Sequence, residues 1–313
     1  MNKESKIYVA GHDGMAGTAL MRRLASDGYT NIVTRLYPEL DLTRQTDVET
    51  FFAEEKPEYV FLLAARVGGI VDNRDHPADA LITNSLIELN VIKSAFENGV
   101  KKLIFTASST VYPEISPQPM GEDLLLTGAF EFFWGGYALA KALGIKLCEY
   151  LGRQYGAKFT AVVLPNLYGS GDKGSTVLPM LVSKFHNAVT SKAKHVEVWG
   201  TGNARREFLH ADELAGALLF LAEKHEGGGH INVGYGTDIT IRELAELIKK
   251  ISGFKGEILF DTTKPDGTSR KLLDSSRMFE LGWKPKISLE QGIRAVYEEY
   301  GKNHDDQSGE NQK

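Results

Sequence analysis

The sequence has very little cysteine and lacks any apolar segment long enough to span a bilayer. Cys148 is the single cysteine among 313 residues, which excludes an intrachain disulfide and a multi-cysteine zinc site. The histidines show no HExxH pair and no metal-ligand spacing, so we expect no catalytic metal. A reducing compartment and the absence of a signal peptide or apolar stretch of about 20 residues predict a cytoplasmic protein that does not bind membranes.

The sequence also lacks an excess of basic residues. Acidic residues outnumber lysine and arginine by 41 to 36, and the formal net charge is −5. This balance gives no general attraction to polyanions, so we expect no binding to nucleic acid. The length of 313 residues exceeds what one hydrophobic core usually supports, which predicts two domains or one large domain with an added lobe.

Short apolar runs alternate with longer amphipathic runs through the first half of the chain, which predicts a parallel sheet covered by helices. The predicted strands are 7–10, 32–34, 59–63, 103–107 and 160–164. The predicted helices are 16–27, 46–55, 78–98 and 137–154. The predicted fold class is α/β, a doubly wound parallel sheet of the Rossmann type with a smaller α/β substrate-binding lobe.

The regular alternation weakens after Gly169, which predicts a second, interleaved lobe. Its predicted helices and strands are 179–188, 196–199, 212–225, 230–233, 241–252 and 257–260. We predict a dinucleotide-binding domain at 1–168 plus roughly 205–235, and the substrate lobe at roughly 169–204 plus 236–303. The polar composition of 304–313 predicts a disordered tail.

A Gly-rich loop with the sequence GHDGMAG follows the first predicted strand and opens the first predicted helix. Gly11, Gly14 and Gly17 allow a tight turn, a close approach of the backbone to a pyrophosphate, and close packing of helix on sheet. An ordinary Gly-rich turn is the alternative, but the position between strand and helix favours nucleotide binding. The further predicted cofactor contacts are His12, Met15 and Ala64.

Arg35 stands near the end of the second predicted strand, where an acidic residue would bind the ribose of NAD. Arginine suits the 2′-phosphate of NADP(H), which is therefore the predicted cofactor, with NAD(H) as the alternative. A solvated surface arginine is the other interpretation. Asp41 and Leu42 fall where the adenine would bind, although Asp41 equally suits a cap for the next helix.

Tyr137 and Lys141 lie four residues apart in a predicted helix, so they share one face. A nearby ammonium lowers the pKa of a phenol from about 10, which suits proton exchange with a substrate oxygen. Because such a pair arises about once by chance among 12 tyrosines, the context decides. Ser108 stands at the carboxyl end of the predicted strand 103–107, either as a turn-capping serine or as a donor to a carbonyl oxygen. In this order the three residues predict a catalytic trio.

These motifs resemble the extended short-chain dehydrogenases/reductases that act on nucleotide sugars. Several segments are similar to the GDP-L-fucose synthase family, namely 9–17, 67–71, 166–169, 205–210 and 264–268. The resemblance implies an NADPH-dependent oxidoreductase that reduces the C4 ketone of a GDP-linked 4-keto-deoxysugar or heptose. It also implies a homodimer paired through the helices predicted at 78–98 and 137–154.

The resemblance further implies that the substrate-binding residues include Asn166, Trp199, Arg206 and Lys271. The two cations suit a diphosphate, and the Trp199 ring offers an aromatic face. From the residues alone, Trp199 equally suits a core position, and the cations equally suit solvent.

Two positions depart from the family pattern. Thr110 and Thr176 stand where the resemblance implies a cysteine and a histidine that move protons during epimerisation. A threonine hydroxyl does not titrate near neutral pH, so we expect reduction without 3,5-epimerisation, with both threonines lining the substrate pocket. The family's phosphate-binding arginines are also replaced, by Asp13 and Tyr37, which weakens the implied preference for NADP(H).

Two alternatives stay open at this point. The first is a bifunctional 3,5-epimerase/4-reductase in which other side chains relay the protons. The second is a catalytically silent nucleotide-sensing protein of the same fold, against which the intact pair of Tyr137 and Lys141 argues.

Overall fold

The computed structural model describes residues 1–172, 176–264 and 266–310, without the side chains of Ile70 and 303–310. The strands are β1 (Ile7–Ala10), β2 (Ile32–Val33), β3 (Tyr59–Leu62), β4 (Lys102–Ser108), β5 (Phe159–Leu164), β6 (Asn166–Tyr168), β7 (His195–Trp199), β8 (Arg205–His210), β9 (Gly229–Asn232), β10 (Asp238–Thr240), β11 (Glu257–Asp261) and β12 (Arg270–Lys271). The helices are α1 (Met15–Ser26), α2 (Gln45–Glu55), α3 (Ile70–Asp75), α4 (Pro77–Glu97), α5 (Gly135–Tyr155), α6 (Val177–Thr190), α7 (Ala211–Lys224), α8 (Ile241–Ser252), α9 (Ser276–Glu280) and α10 (Leu289–Glu310).

Six strands form one parallel sheet in the order β2-β1-β3-β4-β5-β9. Side chains alternate across each strand, so β1 contributes to two cores. Ile7 and Val9 pack with α1 and α7, whereas Tyr8 and Ala10 pack with α2, α4 and α5. Helices thus cover both faces, and the predicted doubly wound parallel sheet is confirmed.

The second half of the chain adds smaller sheets. In one of them β8 pairs antiparallel with β10 and parallel with β6 and β12. In the other β7 and β11 pair in parallel. Helices α6, α8 and α10 share a third core that includes Leu181, Leu244 and Ile293. None of the helices in the described ranges is long and apolar enough to span a membrane.

The bounds of the helices and strands that were predicted agree with the observed ones to within two residues, with α5 beginning at Gly135 and α6 at Val177. Strands β6, β8, β10 and β12 and helices α3, α9 and α10 were not predicted. Runs of two or three residues, as in β6, β10 and β12, carry no readable periodicity. Strands β6 and β8 pair with each other outside the large sheet, and the division into domains stays a prediction.

Three predicted features include residues outside the described ranges. Residues 173–175 fall within the Gly-, Ser- and Lys-rich loop predicted at 170–176, and Pro265 falls within the family-like segment 264–268. Helix α10 continues to Glu310, into the segment whose composition predicts disorder, and residues 311–313 of that segment are not described.

Candidate active site

The Gly-rich loop lies at the carboxyl ends of β1 and β3, where the strand order reverses. The chain leaves β1 toward β2 on one side and leaves β3 toward β4 on the other. Gly11 follows β1 with a φ of +85°, and the N–H of Ala64, after β3, donates to the carbonyl oxygen of Ala10 at 2.9 Å. Gly11 and Ala64 therefore border the crevice in which open α/β sheets bind ligands.

No side chain fits at Gly11 or Gly17. A Cβ on Gly11 would lie 2.7 Å from the backbone nitrogen of Ala64, and a Cβ on Gly17 would lie 2.0 Å from the carbonyl oxygen of Gly11. Both obstacles are backbone atoms, which cannot turn away as a flexible side chain can. Glycine at these positions keeps the helix close to the sheet and leaves the backbone accessible to a ligand.

Helix α1 begins at Met15, directly after the loop, and Gly14 is its N-cap residue. Gly14 brings no side chain to cap the helix, and no acidic residue lies in the first turn. The free N–H groups and the helix dipole favour an anion at this end. The Nδ1 atom of His12 is buried without a hydrogen-bond partner among the described residues. These features fit the pyrophosphate of a dinucleotide.

Arg35 is held by neighbouring groups. Its guanidinium donates to the Glu55 carboxylate and, at 2.8 Å, to the carbonyl oxygen of Thr34. Glu55 also pairs with Lys6, whose Nζ lies 2.6 Å from Oε2. The structure thus leaves Arg35 partly exposed in a salt-bridge network, so a 2′-phosphate would compete with Glu55 for the guanidinium.

Asp41 and Leu42 stabilise the turn before α2. A carboxylate oxygen of Asp41 accepts the backbone N–H of Thr43 at 3.0 Å and its hydroxyl at 2.7 Å. These hydrogen bonds hold the pKa of Asp41 below its usual range. The carbonyl oxygen of Leu42 accepts the side-chain amide of Asn90 on α4 at 2.9 Å. Asp41 precedes the helix by a turn, so it does not act as the N-cap of α2, where Arg44 stands.

Ser108 is the last residue of β4, at the same edge of the sheet as Gly11. Its Oγ accepts the N–H of Thr110 at 3.3 Å and so caps the 3₁₀ turn Ser109–Val111, against which α5 packs. Accepting this bond leaves the hydroxyl proton of Ser108 free to be donated. The capping role and a donor role toward a carbonyl oxygen are therefore compatible. The Thr110 hydroxyl is buried without a partner among the described residues.

Tyr137 and Lys141 lie one turn apart on α5 and are both buried. The Nζ of Lys141 lies 5.6 Å from the centroid of the Tyr137 ring and 4.6 Å from that of Phe105 on β4. The Trp134 ring packs edge-on against Tyr137, with 6.3 Å between the ring centroids. The short distance between Lys141 and the Tyr137 ring confirms that the two residues share one face of the helix.

The direction of the Tyr137 pKa differs from the sequence-based expectation. Burial raises the pKa of the phenol above its ordinary value, and Lys141 only partly opposes this effect. The expectation considered the ammonium without the cost of removing a tyrosinate from water. The phenol is consequently protonated at neutral pH, which suits a group that donates a proton.

Asn166, Arg206 and Lys271 lie on neighbouring strands of the small mixed sheet. Lys271 on β12 is opposite Arg206 on β8, and Asn166 on β6 donates to the carbonyl oxygen of Glu207 on β8 at 3.1 Å. Arg206 donates to the carbonyl oxygen of Thr268 at 2.6 Å, and burial lowers the pKa of its guanidinium. Neither cation is a solvated surface charge, since Arg206 is partly buried and the side chain of Lys271 is only 16% exposed.

Trp199 and Thr176 lie outside that sheet. Trp199 ends β7, and its ring is not a core aromatic, because 56% of the residue is exposed. The Nζ of Lys264 lies 5.6 Å from the centre of this ring. Thr176 is the N-cap residue of α6, and its hydroxyl is buried without a partner among the described residues.

Three carboxylates at the site were not predicted from the sequence. Glu88 on α4 is buried beside Lys141, and Glu131 pairs with Lys271 at 2.5 Å. Glu207 is buried on β8 and accepts the backbone N–H of Leu273 at 2.9 Å. Burial raises the pKa of Glu207 to about 7, and it raises the pKa of Glu88 against the opposing charge of Lys141. For Glu88 the sequence offers a signal, a carboxylate within the largely apolar segment 87–92, but this signal does not name the partner.

A doubly wound sheet with a Gly-rich loop at its reversal point and a Tyr–Lys pair on a neighbouring helix defines the short-chain dehydrogenase/reductase class. A profile described as the NAD dependent epimerase/dehydratase family matches residues 7–234. The chain belongs to this family.

Relatives with named activities match almost the whole chain. The putative GDP-L-fucose synthase 2 of Arabidopsis thaliana is 50% identical over 307 residues, covering 97% of this chain and 94% of the relative. The GDP-mannoheptose C4 reductase MlghC of Campylobacter jejuni, solved with NADP bound, is 42% identical with a TM-score of 0.90, covering 96% of this chain and 99% of the other. A GDP-6-OMe-4-keto-L-xylo-heptose reductase from C. jejuni is 39% identical with a TM-score of 0.90, and the match covers 97% of this chain and 99% of the reductase.

Proposed function

We propose that this protein reduces the C4 ketone of a GDP-linked 4-keto-deoxysugar or heptose with NADPH. The predicted class of NADP-dependent oxidoreductase acting on a nucleotide sugar is confirmed by the family and by the similarity to the NADP-bound reductase. The observation that carries the proposal is the buried Tyr137 phenol on α5, held protonated beside the Lys141 ammonium. A ketone becomes an alcohol only when its oxygen receives a proton, and this phenol can supply it.

The described residues fit a bound dinucleotide. The backbone of the Gly-rich loop and the start of α1 would hold the pyrophosphate, and Lys141 would hold the nicotinamide ribose. His12, Met15, Ala64, Asp41 and Leu42 are proposed to line the same site. NADPH supplies the hydride when bound.

The side chains perform the proton chemistry. Ser108 donates its hydroxyl proton in a hydrogen bond to the ketone oxygen and polarises the carbonyl group. The Tyr137 O–H bond breaks as an O–H bond forms on the former ketone oxygen, which leaves a tyrosinate. The positive charge of Lys141 stabilises that tyrosinate. Solvent then returns the proton to Tyr137, and the product alcohol is free to leave.

The GDP part of the substrate is assigned to the small mixed sheet. Arg206 and Lys271 bring two positive charges side by side, which suits a diphosphate. Asn166 donates from the neighbouring strand, and the exposed ring of Trp199 offers a stacking surface for a base. Glu131 pairs with Lys271, so the diphosphate would take over this ammonium from the carboxylate.

A bifunctional 3,5-epimerase/4-reductase is the second candidate, favoured by the similarity to GDP-L-fucose synthases. Epimerisation needs a base to remove a proton beside the ketone and an acid to return it to the other face. Thr110 and Thr176 are the proposed pocket-lining residues here, and neither hydroxyl titrates near neutral pH. We therefore favour reduction without epimerisation.

One experiment tests both candidates. The wild-type protein is incubated in deuterated water with NADPH and a panel of GDP-4-keto sugars, and the products are examined by NMR. We expect reduced C4 without enzyme-dependent deuterium at C3 or C5. Deuterium at either carbon beyond an enzyme-free control would establish the bifunctional alternative, and the absence of any reduced product would contradict the proposed function.

We also propose a homodimer paired through α4 and α5. Both helices expose apolar side chains at spacings of three or four residues, which places them on one face of each helix. They are Ile82, Leu86 and Leu89 on α4, and Leu139 and Leu143 on α5. A monomer mass in sedimentation across micromolar concentrations would contradict this pairing. The cytoplasmic location stays a prediction.

A further inference from the structure

Glu88 is a fully buried carboxylate on α4, and its partner is the Lys141 ammonium. Oε1 of Glu88 and Nζ of Lys141 are 3.1 Å apart, and the two side chains are 0% and 2% exposed. Neither charge is solvated, so each depends on the other for compensation. Removing one member of such a pair leaves an uncompensated charge in the interior, which is far more costly than losing a surface ion pair.

The contact between α4 and α5 leaves room for this carboxylate. A Cβ at Gly144 would lie 2.5 Å from Oε2 of Glu88 and 2.7 Å from the ring of Phe105. Glycine inside a helix lowers helix stability by about 1 kcal/mol relative to alanine, yet here it permits the close approach. Glu88, Phe105 and Tyr137 all lie close to the Lys141 ammonium.

We propose that Glu88 is a positioning residue for the proton donor of this site. It fixes the Lys141 ammonium beside Tyr137 and balances its charge until the phenol gives its proton to the substrate. The inference rests on the proposed function, because it concerns the same proton transfer. Glu88 acts through Lys141 and is not assigned a contact with substrate.

The charges around Glu88 agree with this role. Its titratable neighbours among the described residues all lie on α5 and are Lys141, Tyr137 and Cys148. Burial is the larger cause of the raised pKa of Tyr137 and of Cys148, and the charge of Glu88 adds to it in both. The carboxylate thus opposes an early loss of the Tyr137 proton.

The other elements that pack here bring no competing charge. From β4, Phe105 faces the ammonium with its ring. Helix α2 also packs against α4, and its Glu49 carboxylate pairs at 2.8 Å with Lys93, about half exposed. Helix α3 packs against α4 as well, and its charged side chains are paired, Arg74 with Asp75 at 2.7 Å and Asp72 with Arg66 at 2.8 Å. Lys141 is accordingly the one cation whose charge acts on Glu88 among the described residues.

Two substitutions separate charge from shape. Glu88→Gln keeps the size and removes the charge, whereas Glu88→Asp keeps the charge and shortens the side chain. Without the carboxylate, the ammonium either promotes ionisation of Tyr137 or gives up its own proton more readily, and both effects weaken catalysis at high pH. We expect Glu88→Gln to lower kcat about tenfold, with KM for the GDP-sugar within about twofold.

The pH profile is the decisive measurement. The alkaline limb of kcat should move to lower pH by about one unit in Glu88→Gln and stay near its wild-type position in Glu88→Asp. An unchanged limb in Glu88→Gln, or a larger shift in Glu88→Asp than in Glu88→Gln, would overturn the proposal in favour of simple packing. Should Glu88→Gln not fold, the limb of Glu88→Asp decides: a wild-type limb supports the proposal, and a shifted limb overturns it.

The matched control is Glu97→Gln, which removes a half-exposed carboxylate of the same helix that pairs with Lys93 at 3.1 Å. It should leave kcat and its pH profile unchanged.

A second readout separates this proposal from the proposed function. If wild-type protein reduces no GDP-4-keto sugar, NADPH titrations still apply, because Lys141 is the assigned ribose ligand. The Kd for NADPH should then rise more steeply with pH in Glu88→Gln than in wild type, and an identical pH dependence would overturn the role of Glu88.

Discussion

The Lys141 ammonium lies 5.6 Å from the centre of the Tyr137 ring, within an interior that keeps the phenol protonated. Burial raises the pKa of this phenol and the charge of Lys141 lowers it, and burial prevails. A protonated phenol next to a fixed positive charge can release a proton when a base, here the oxygen of a ketone under reduction, forms beside it. Substitutions at the two positions should therefore have different consequences.

Tyr137→Phe removes the proton donor and keeps the ring that packs against Trp134. Turnover should fall by about 100-fold or more, with the affinity for NADPH little changed. Steady-state oxidation of NADPH and a fluorescence titration measure the two quantities. Tyr150→Phe, at an exposed position of the same helix, is the control and should behave as wild type. A Tyr137→Phe variant with near-normal turnover would remove Tyr137 from the mechanism.

Lys141→Met should lose both turnover and NADPH binding, because it deletes the charge that stabilises the tyrosinate and the proposed ribose contact. Methionine keeps most of the length of the side chain, which limits the packing defect, but it leaves Glu88 without a counter-charge. Lys146→Met, on the same helix and paired at 2.8 Å with Glu149, is the control. An unaffected NADPH affinity in Lys141→Met would show that its dual role is wrong.

Arg35 and Glu55 should set the choice between NADPH and NADH. Arg35→Ala should lower the ratio of kcat/KM for NADPH to that for NADH by about tenfold, because a charge-assisted contact to the 2′-phosphate is lost. Glu55→Gln should raise the ratio, since it releases the guanidinium from its carboxylate partner. An unchanged ratio in Arg35→Ala would dismiss Arg35 as the selector. Arg44→Ala, at a mainly exposed position nearby, is the control.

His210 should make stability depend on pH. Burial lowers the pKa of this imidazole, whose Nδ1 accepts the N–H of Asp212 at 3.2 Å and caps α7. An unfolded chain then takes up the proton more readily than the folded protein does. Neutral His210 contributes to the free energy of unfolding. This contribution is fully present above the pKa of 6.5 in the unfolded chain and is lost as the pH falls through the lower pKa of the folded protein.

His210→Asn keeps an oxygen that caps the helix but does not titrate. Between about pH 7.5 and pH 5, wild type should lose about 1 kcal/mol more unfolding free energy than His210→Asn does, the usual value of one helix cap. Chemical denaturation at both pH values measures this difference. His76→Asn is the control, because its ring is 57% exposed. Parallel losses in wild type and His210→Asn would contradict the assignment.

The sequence by itself determined the parallel sheet, the Gly-rich loop and the shared face of Tyr137 and Lys141. These features depend on neighbours in the chain: buried strands are apolar along their length, and residues four apart in a helix share a side. The close approach of Gly17 to Gly11 follows from the same local pattern, because a loop between a first strand and a first helix must turn tightly. The obstacle at Gly11 is Ala64 after β3, so that close approach depends on the pairing of strands.

Only the tertiary structure decided which distant groups meet. Glu88 and Lys141 lie on different helices, and their contact depends on how α4 and α5 pack. The same holds for Arg35 with Glu55 and for Glu131 with Lys271. The direction of the Tyr137 pKa depends on burial, which the spacing of two residues does not reveal. Charge and solvent exposure are set by the whole fold, since the energy of a buried charge depends on every group that replaces water around it.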